Sequence, residues 1–203
     1  MSDALEALIA DGRATDEDRD AAYDLVQRLP ASTAGDAFGR AAISGRLAES
    51  KGVFAVVTTE SPLSLVGEAE KYAILSRKLD PEFRDGAATR MLGTLYVLAP
   101  ANLLEGGDSE EGLALLEGLA EQHPTDPNTQ LRLAEAYIAL GDKDPAAKPL
   151  CVAISKKATL RKDDGQLLQR LIHDFGDLHC AAPPPSAPVD PPDAPTSEAP
   201  AAD

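Results

Sequence analysis

An all-α fold, about nine helices stacked as hairpins and followed by a disordered C-terminal tail, is what this 203-residue sequence predicts. Three observations carry the prediction. Apolar residues recur at helical spacing through most of the chain before residue 181, for example Ala22, Leu25, Val26 and Leu29, which places them on one helix face. Aromatic residues are scarce, with 4 Tyr, 4 Phe and no Trp, while alanine and leucine abound, a composition that favours helices over sheets. Capping residues stand before first-turn prolines at Ser61-Pro62, Asp126-Pro127 and Asp144-Pro145, a helix-start signature.

In chain order the expected helices are 3–11, 16–29, 33–51, 62–79, 83–98, 109–122, 127–140, 145–157 and 163–176. The second opens on Asp16, Asp18 and Asp20, acids that suit the positive end of a helix dipole. These acids resemble the start of a calcium loop, but Ala21 stands where such a loop needs Gly and Gln27 where it needs Glu. The fifth carries Ala88, Met91, Leu92, Leu95 and Tyr96 on one face. Asp108, with Glu111 three residues on, resembles a capping box at the start of the sixth, which then runs through Leu113, Leu116 and Leu119. Pro149 falls inside the eighth, so that helix should start late or kink. The ninth has an apolar face of Leu167, Leu168, Leu171, Ile172 and Phe175, a face that would suit docking on a second copy. The run Val53 to Val57 is strand-like but short and flanked by helices, and it reads as a buried helical turn. From Ala181 onward the chain is almost wholly Pro, Ala, Ser and acids, too poor in apolar surface to offset its chain entropy.

The formal net charge is -15, which argues against nucleic acid and against anionic membrane surfaces, since both require basic patches. No run of 18 apolar residues occurs, so no membrane insertion is expected. The N-terminal stretch shows no export signal. Cys151 and Cys180 are too few and too far apart for a disulfide framework, and a reducing cytoplasm with both thiols free fits best, though a single disulfide between them remains open.

Gly93, inside the apolar helix "ATRMLGTLYVLAP", costs about 1 kcal/mol against alanine and calls for a close-packed neighbour. Comparing the chain with itself supplies one. Leu92-Gly93 and Tyr96 are matched one unit later by Leu133-Ala134 and Tyr137, while Gly112 and Ala146 stand 34 residues apart at equivalent positions. That spacing and these small, large and proline positions (Pro81, Pro124) resemble the tetratricopeptide repeat, a stacked helix pair. Gly93, Tyr96, Ala134 and Tyr137 would then be repeat-packing residues. The organisation expected is an N-terminal helical segment over 1–60 packing on repeats over 61–180, and a Pro/Ala-rich acidic tail over 181–203. More narrowly, Leu92-Gly93-x-x-Tyr96, Ala99-Pro100, Gly107-Asp108, Pro124 and Leu133-Ala134-Glu135-Ala136 resemble the T component associated with TRAP-type transporters. That resemblance implies an all-helical fold, self-association and a binding role without catalysis, although members of that family are exported.

No catalytic, cofactor-binding or metal-binding set is expected. Ser109 in "GDSE" lacks a preceding strand and reads as a helix-start residue. His173, His179 and Cys180 lie close in sequence but make a weak metal set, and His123 reads as an exposed helix-end residue. The function expected is a non-catalytic helical-repeat protein that mediates protein–protein interaction as a scaffold or adaptor, with self-association as a further expectation. The alternative is a small-molecule-binding accessory protein of a membrane transport complex. Partner contacts are expected from Arg90, Thr94, Gln130 and Arg132 on the first helices of the pairs, and from Leu103 and Leu104 in an unusually apolar loop.

Overall fold

The computed structural model describes residues 2–51 and 62–180, and among them the backbone forms nine α-helices with no strand. These are α1 (Ser2–Ala10), α2 (Asp16–Gln27), α3 (Ala34–Ser50), α4 (Pro62–Leu79), α5 (Ala87–Leu98), α6 (Ser109–Gln122), α7 (Pro127–Ala139), α8 (Ala147–Ser155) and α9 (Lys162–Phe175). The expected turn at 53–57 and the expected tail at 181–203 lie outside the described residues.

Capping chemistry sets the starts. Thr15 and Thr33 each accept the backbone N–H three residues on, and Asp18 and Asp36 reach back to them, closing two capping boxes. Asp108 accepts the Glu111 N–H at 2.9 Å, and Asp126 accepts those of Asn128 and Thr129 at 3.2 and 2.9 Å. Asp144 departs from expectation: it opens a 3₁₀ turn, Asp144–Ala146, without a side-chain cap bond, and α8 begins only at Ala147. The late start accommodates Pro149, whose missing N–H falls in the first helical turn, where no intrahelical partner exists. Residues 83–86 also leave the expected helix, because Arg84, Asp85 and Gly86 all take positive φ and α5 starts after them.

Consecutive helices pack as hairpins, most extensively α3 with α4 and α5 with α6, and α7 pairs with α8. Side chains are small where helices cross. Ala41, Ala69, Ala73, Ala134, Ala146 and Ala153 are fully buried, which allows close interaxial approach. A close approach joins α5 to α6: a Cβ placed on Gly93 would lie 2.6 Å from Leu116 Cγ and 2.9 Å from the Gly112 carbonyl oxygen. Gly112 in turn faces the Gly93 carbonyl oxygen at 2.8 Å from its own would-be Cβ. Larger side chains fill the layers between. Leu131, Leu150, Leu167, Leu168 and Leu171 form one cluster, against which Tyr137, Ile172 and Phe175 pack. The apolar face of α9 is therefore spent inside the chain's own core, which removes the observation that pointed to a second copy.

Buried acids and phenols tie the pairs together. Glu70, 1% exposed, accepts the backbone N–H groups of Glu105 and Gly106 at 2.8 and 2.9 Å, fastening the α5–α6 loop to α4. The Tyr23 hydroxyl donates to Glu68 at 2.6 Å, and Tyr137 donates to Glu117 at 2.5 Å. Burial, followed by these neighbouring carboxylates, pushes the phenols of Tyr23 and Tyr137 up to about 12, and Tyr96, buried beside Glu70, likewise up to about 12. Because the fold favours the neutral phenol, its contribution to stability is fully present below the usual tyrosine value near 10 and is lost as pH rises through about 12. Alkaline titration followed by phenolate absorbance should show these three ionising near pH 12 together with unfolding. Ionisation of all four tyrosines near 10 without loss of helix would contradict this packing.

Cys151 of α8 and Cys180, beyond α9, form a disulfide with Cα atoms 5.4 Å apart. This corrects the expectation of two free thiols. The cysteines are distant in sequence, but α8 and α9 pack together, and the chain folds back after Gly176, whose φ is +92°, bringing Cys180 to α8.

Candidate functional site

Residues of α1, α3, α5, α7 and α9, with Ala69 of α4, line a groove of about 810 Å³, and α1 touches α9 across it. Its floor is apolar, with Phe38, Ala42, Ala69, Met91 and Leu95. Its walls carry six cationic side chains, Arg46, Arg84, Arg90, Arg132, Arg161 and Lys162, against four carboxylates, Asp3, Asp11, Glu49 and Asp164. Each of the five arginines is paired with a carboxylate, and Asp126, Glu135 and Asp163 supply partners from outside the lining, so the groove is close to charge-balanced in a chain of net charge -15. The carboxylates of α1, the loop after it and α3 face a wall from α5, α7 and α9 whose arginines are paired with Asp126, Glu135, Asp163 and Asp164.

Salt bridges hold the guanidinium groups in place. Arg84 clasps Asp3 through two bonds of 2.8 and 2.9 Å, joining α1 to the turn before α5. Arg132 reaches Asp164 at 2.7 Å and Glu135 at 2.8 Å, joining α7 to α9. Arg46 bonds Glu49 and Asp163, each at 3.0 Å. Arg90 uses one nitrogen, Nη1, for Asp126, Thr129 and the Asp85 carbonyl at 3.2, 3.1 and 3.3 Å. Burial lowers the Arg90 pKa, with Asp126 opposing. Burial acts the same way on Arg132, but the charges of Glu135 and Asp164 outweigh it and raise its pKa. Asp126 is held below the usual carboxylate range: burial would raise it, and the Thr129 hydroxyl and N–H together with Arg90 overcome that effect. Both arginines therefore stay charged at neutral pH, and Arg90 keeps Nε and Nη2 without partners among the described residues.

The residues expected to contact a partner divide in two. Arg90, Thr94 and Arg132 line the groove. Gln130 does not: it is 6% exposed, and its amide nitrogen donates to the Pro124 carbonyl at 3.3 Å. Leu103 and Leu104 pack against the cluster of Leu47, Leu65 and Val66, where they fill space between helices. Of the repeat-packing residues, Gly93, Tyr96 and Ala134 are buried and Tyr137 packs beside Leu131. Sequence reasoning missed Arg46 of α3, Arg84 in the turn before α5, and the neighbours Arg161 and Lys162 at the start of α9, three places with no common local pattern. Among the described residues no three His, Cys, Asp or Glu side chains gather as a metal site, and no helix is long and apolar enough to cross a membrane.

Residues 103–150, spanning α6, α7 and the start of α8, match a family model described as tetratricopeptide repeat. No curated protein matches the chain, and the narrower resemblance to the TRAP T component gains no support from these comparisons. The paired-helix architecture and the match over 103–150 give that stretch a likeness to the tetratricopeptide repeat.

Proposed function

We propose that this chain is a non-catalytic interaction protein, a scaffold or adaptor that holds a partner polypeptide in this groove. The observation that carries this reading is the concave surface itself: about 810 Å³, apolar at the floor and arginine-rich at one wall, built by repeat units that ordinarily bind along such surfaces. Arginine is enriched at interfaces because its planar fork pairs with carboxylates and its stem covers apolar surface. The disulfide favours an oxidising compartment over the reducing cytoplasm that free thiols would have implied.

A photoreactive residue at Thr94, in the groove, should crosslink one protein in extracts of the native host, whereas the same residue at Glu121, exposed on α6, should not. Equal labelling from both positions, or a small molecule retained by the purified protein in native mass spectrometry with no protein adduct, would overturn the reading.

A further inference from the structure

We propose that the groove takes an uncharged stretch of a partner polypeptide, with its main chain along Arg90 and Thr94 and one large apolar side chain on the floor beside Gly45. The inference rests on the groove being a binding surface, and three observations set the chemistry of what it binds.

The first is the charge balance. Six cationic side chains, five arginines and Lys162, meet seven carboxylates, four in the lining and Asp126, Glu135 and Asp163 behind it. An acidic segment would add charge to a site whose arginines are already answered, in a chain of net charge -15. A basic segment would compete with those arginines for their carboxylates, and breaking a partly buried pair leaves a charge uncompensated. An uncharged segment disturbs no pair, so the fixed charges select against the other two classes.

The second is the face that α5 presents. Ala87, Arg90, Met91, Thr94 and Leu95 all line the groove, at spacings that put them on one side of the helix. They form two rows. Ala87, Met91 and Leu95 make an apolar row, and Arg90 and Thr94 make a polar one beside it. Arg90 spends Nη1 on Asp126, Thr129 and the Asp85 carbonyl. Its Nε and Nη2 have no partner among the described residues, and neither is sealed from solvent, so both open on the groove. Because Asp126 answers its charge, Arg90 offers two N–H donors rather than a free cation, and a main-chain carbonyl has two lone pairs to accept them. The Thr94 hydroxyl donates to the Arg90 carbonyl at 2.8 Å, which leaves its oxygen able to accept a main-chain N–H. A donor and an acceptor one helical turn apart suit a peptide main chain, which carries one of each per residue.

The third is space on the floor. Gly45 lines the groove from inside α3, where glycine weakens a helix. Within 4 Å a Cβ there would meet only the Cβ of Ala69, at 3.9 Å. No neighbour in this chain requires the glycine, unlike Gly93, which is fitted against α6. The floor that Gly45 shares with Ala42, Ala69, Met91 and Leu95 is apolar, and the flexible thioether of Met91 can adapt to an incoming side chain. A leucine, methionine or phenylalanine from outside would leave water there.

The test pans a random heptapeptide library, displayed on phage, over the full chain with its disulfide intact. The enriched peptides should carry leucine, methionine or phenylalanine and no net charge. The tightest of them, synthesised with blocked ends, should bind with an affinity that changes less than about twofold between about 0.05 and about 0.5 M salt. Gly45→Met, which fills the floor, should weaken that binding about tenfold with no fall in Tm. Thr94→Val, which keeps the shape and removes the hydroxyl, should weaken it about fivefold. Enriched peptides that are acidic or basic and lose about tenfold or more in affinity over the same salt range would overturn the proposal. So would parental affinity in both variants. No enrichment at all, with Thr94 still crosslinking one protein, would overturn this class of partner and leave the binding role standing; loss of the Thr94 crosslink as well would end that role too.

Discussion

Gly93→Leu should melt the chain early, losing about 3 kcal/mol or more and lowering Tm by about 6–12 °C for a chain of this size. The reason is geometric. Even the first added carbon would sit 2.6 Å from Leu116 Cγ and 2.9 Å from a backbone oxygen of α6. A leucine side chain can rotate away, but the Gly112 carbonyl belongs to the helix and moves only if α6 moves. Leu116 is itself fully buried, so its displacement disturbs the layer beyond, where it packs with Ala120, Leu133 and Ala136. Gly112→Ala should fail for the same reason, with Gly93 O at 2.8 Å and Tyr96 Cβ at 2.7 Å. Gly118, in the same α6 but with nothing within 4 Å, makes the control: Gly118→Ala should stabilise by about 0.5–1 kcal/mol through helix propensity alone. Thermal melts of the three variants decide the matter, and equal effects at positions 93 and 118 would refute a packing role for Gly93.

That contrast shows what was legible in the sequence. Gly93 stood out because a glycine inside an apolar periodic run is a local anomaly, and local anomalies can be read. The helices were legible for the same reason: caps, first-turn prolines and apolar period all act within one or two turns, and the ends at Leu79, Leu98 and Gln122 fall where periodicity stops. Residues 83–86 were not, because "RDG" adopts positive φ to turn the chain between hairpins, and nothing local forbids a helix there. Glu70 was invisible for a different reason. Its sequence neighbourhood is an ordinary amphipathic helix, and its role depends on two N–H groups 35 and 36 residues away. The groove was half legible. Arg90, Thr94 and Arg132 follow from the repeat register, while Arg84 and Lys162 enter only through the curvature that brings α1 to α9. Leu103 and Leu104 misled because an apolar loop signals either a contact surface or a plug, and only the packing distinguishes them.

Cys180→Ser is the second change with a large expected effect. The disulfide closes a loop of 29 residues, and removing a crosslink of that span frees unfolded-chain entropy worth about 3–4 kcal/mol. The folded side loses as well, because the crosslink fastens the chain end that presses Leu178 against the cluster of Leu150, Leu167 and Leu171. In a stack of hairpins each unit leans mainly on its neighbours, so the loss should begin at α9. Hydrogen exchange should accelerate there before it does in α3 or α4, and Tm should fall by about 6–12 °C. The groove is affected too: Asp164, which α9 contributes to the Arg132 ion pair, would be held less firmly, and Arg132 would lose one of its two carboxylates whenever α9 detaches. Reductant added to the parent should reproduce the variant, and reductant added to the variant should change nothing further. A parent whose melting is indifferent to reductant would show that the crosslink adds nothing to what α8 and α9 already share, and would leave the preference for an oxidising compartment without support.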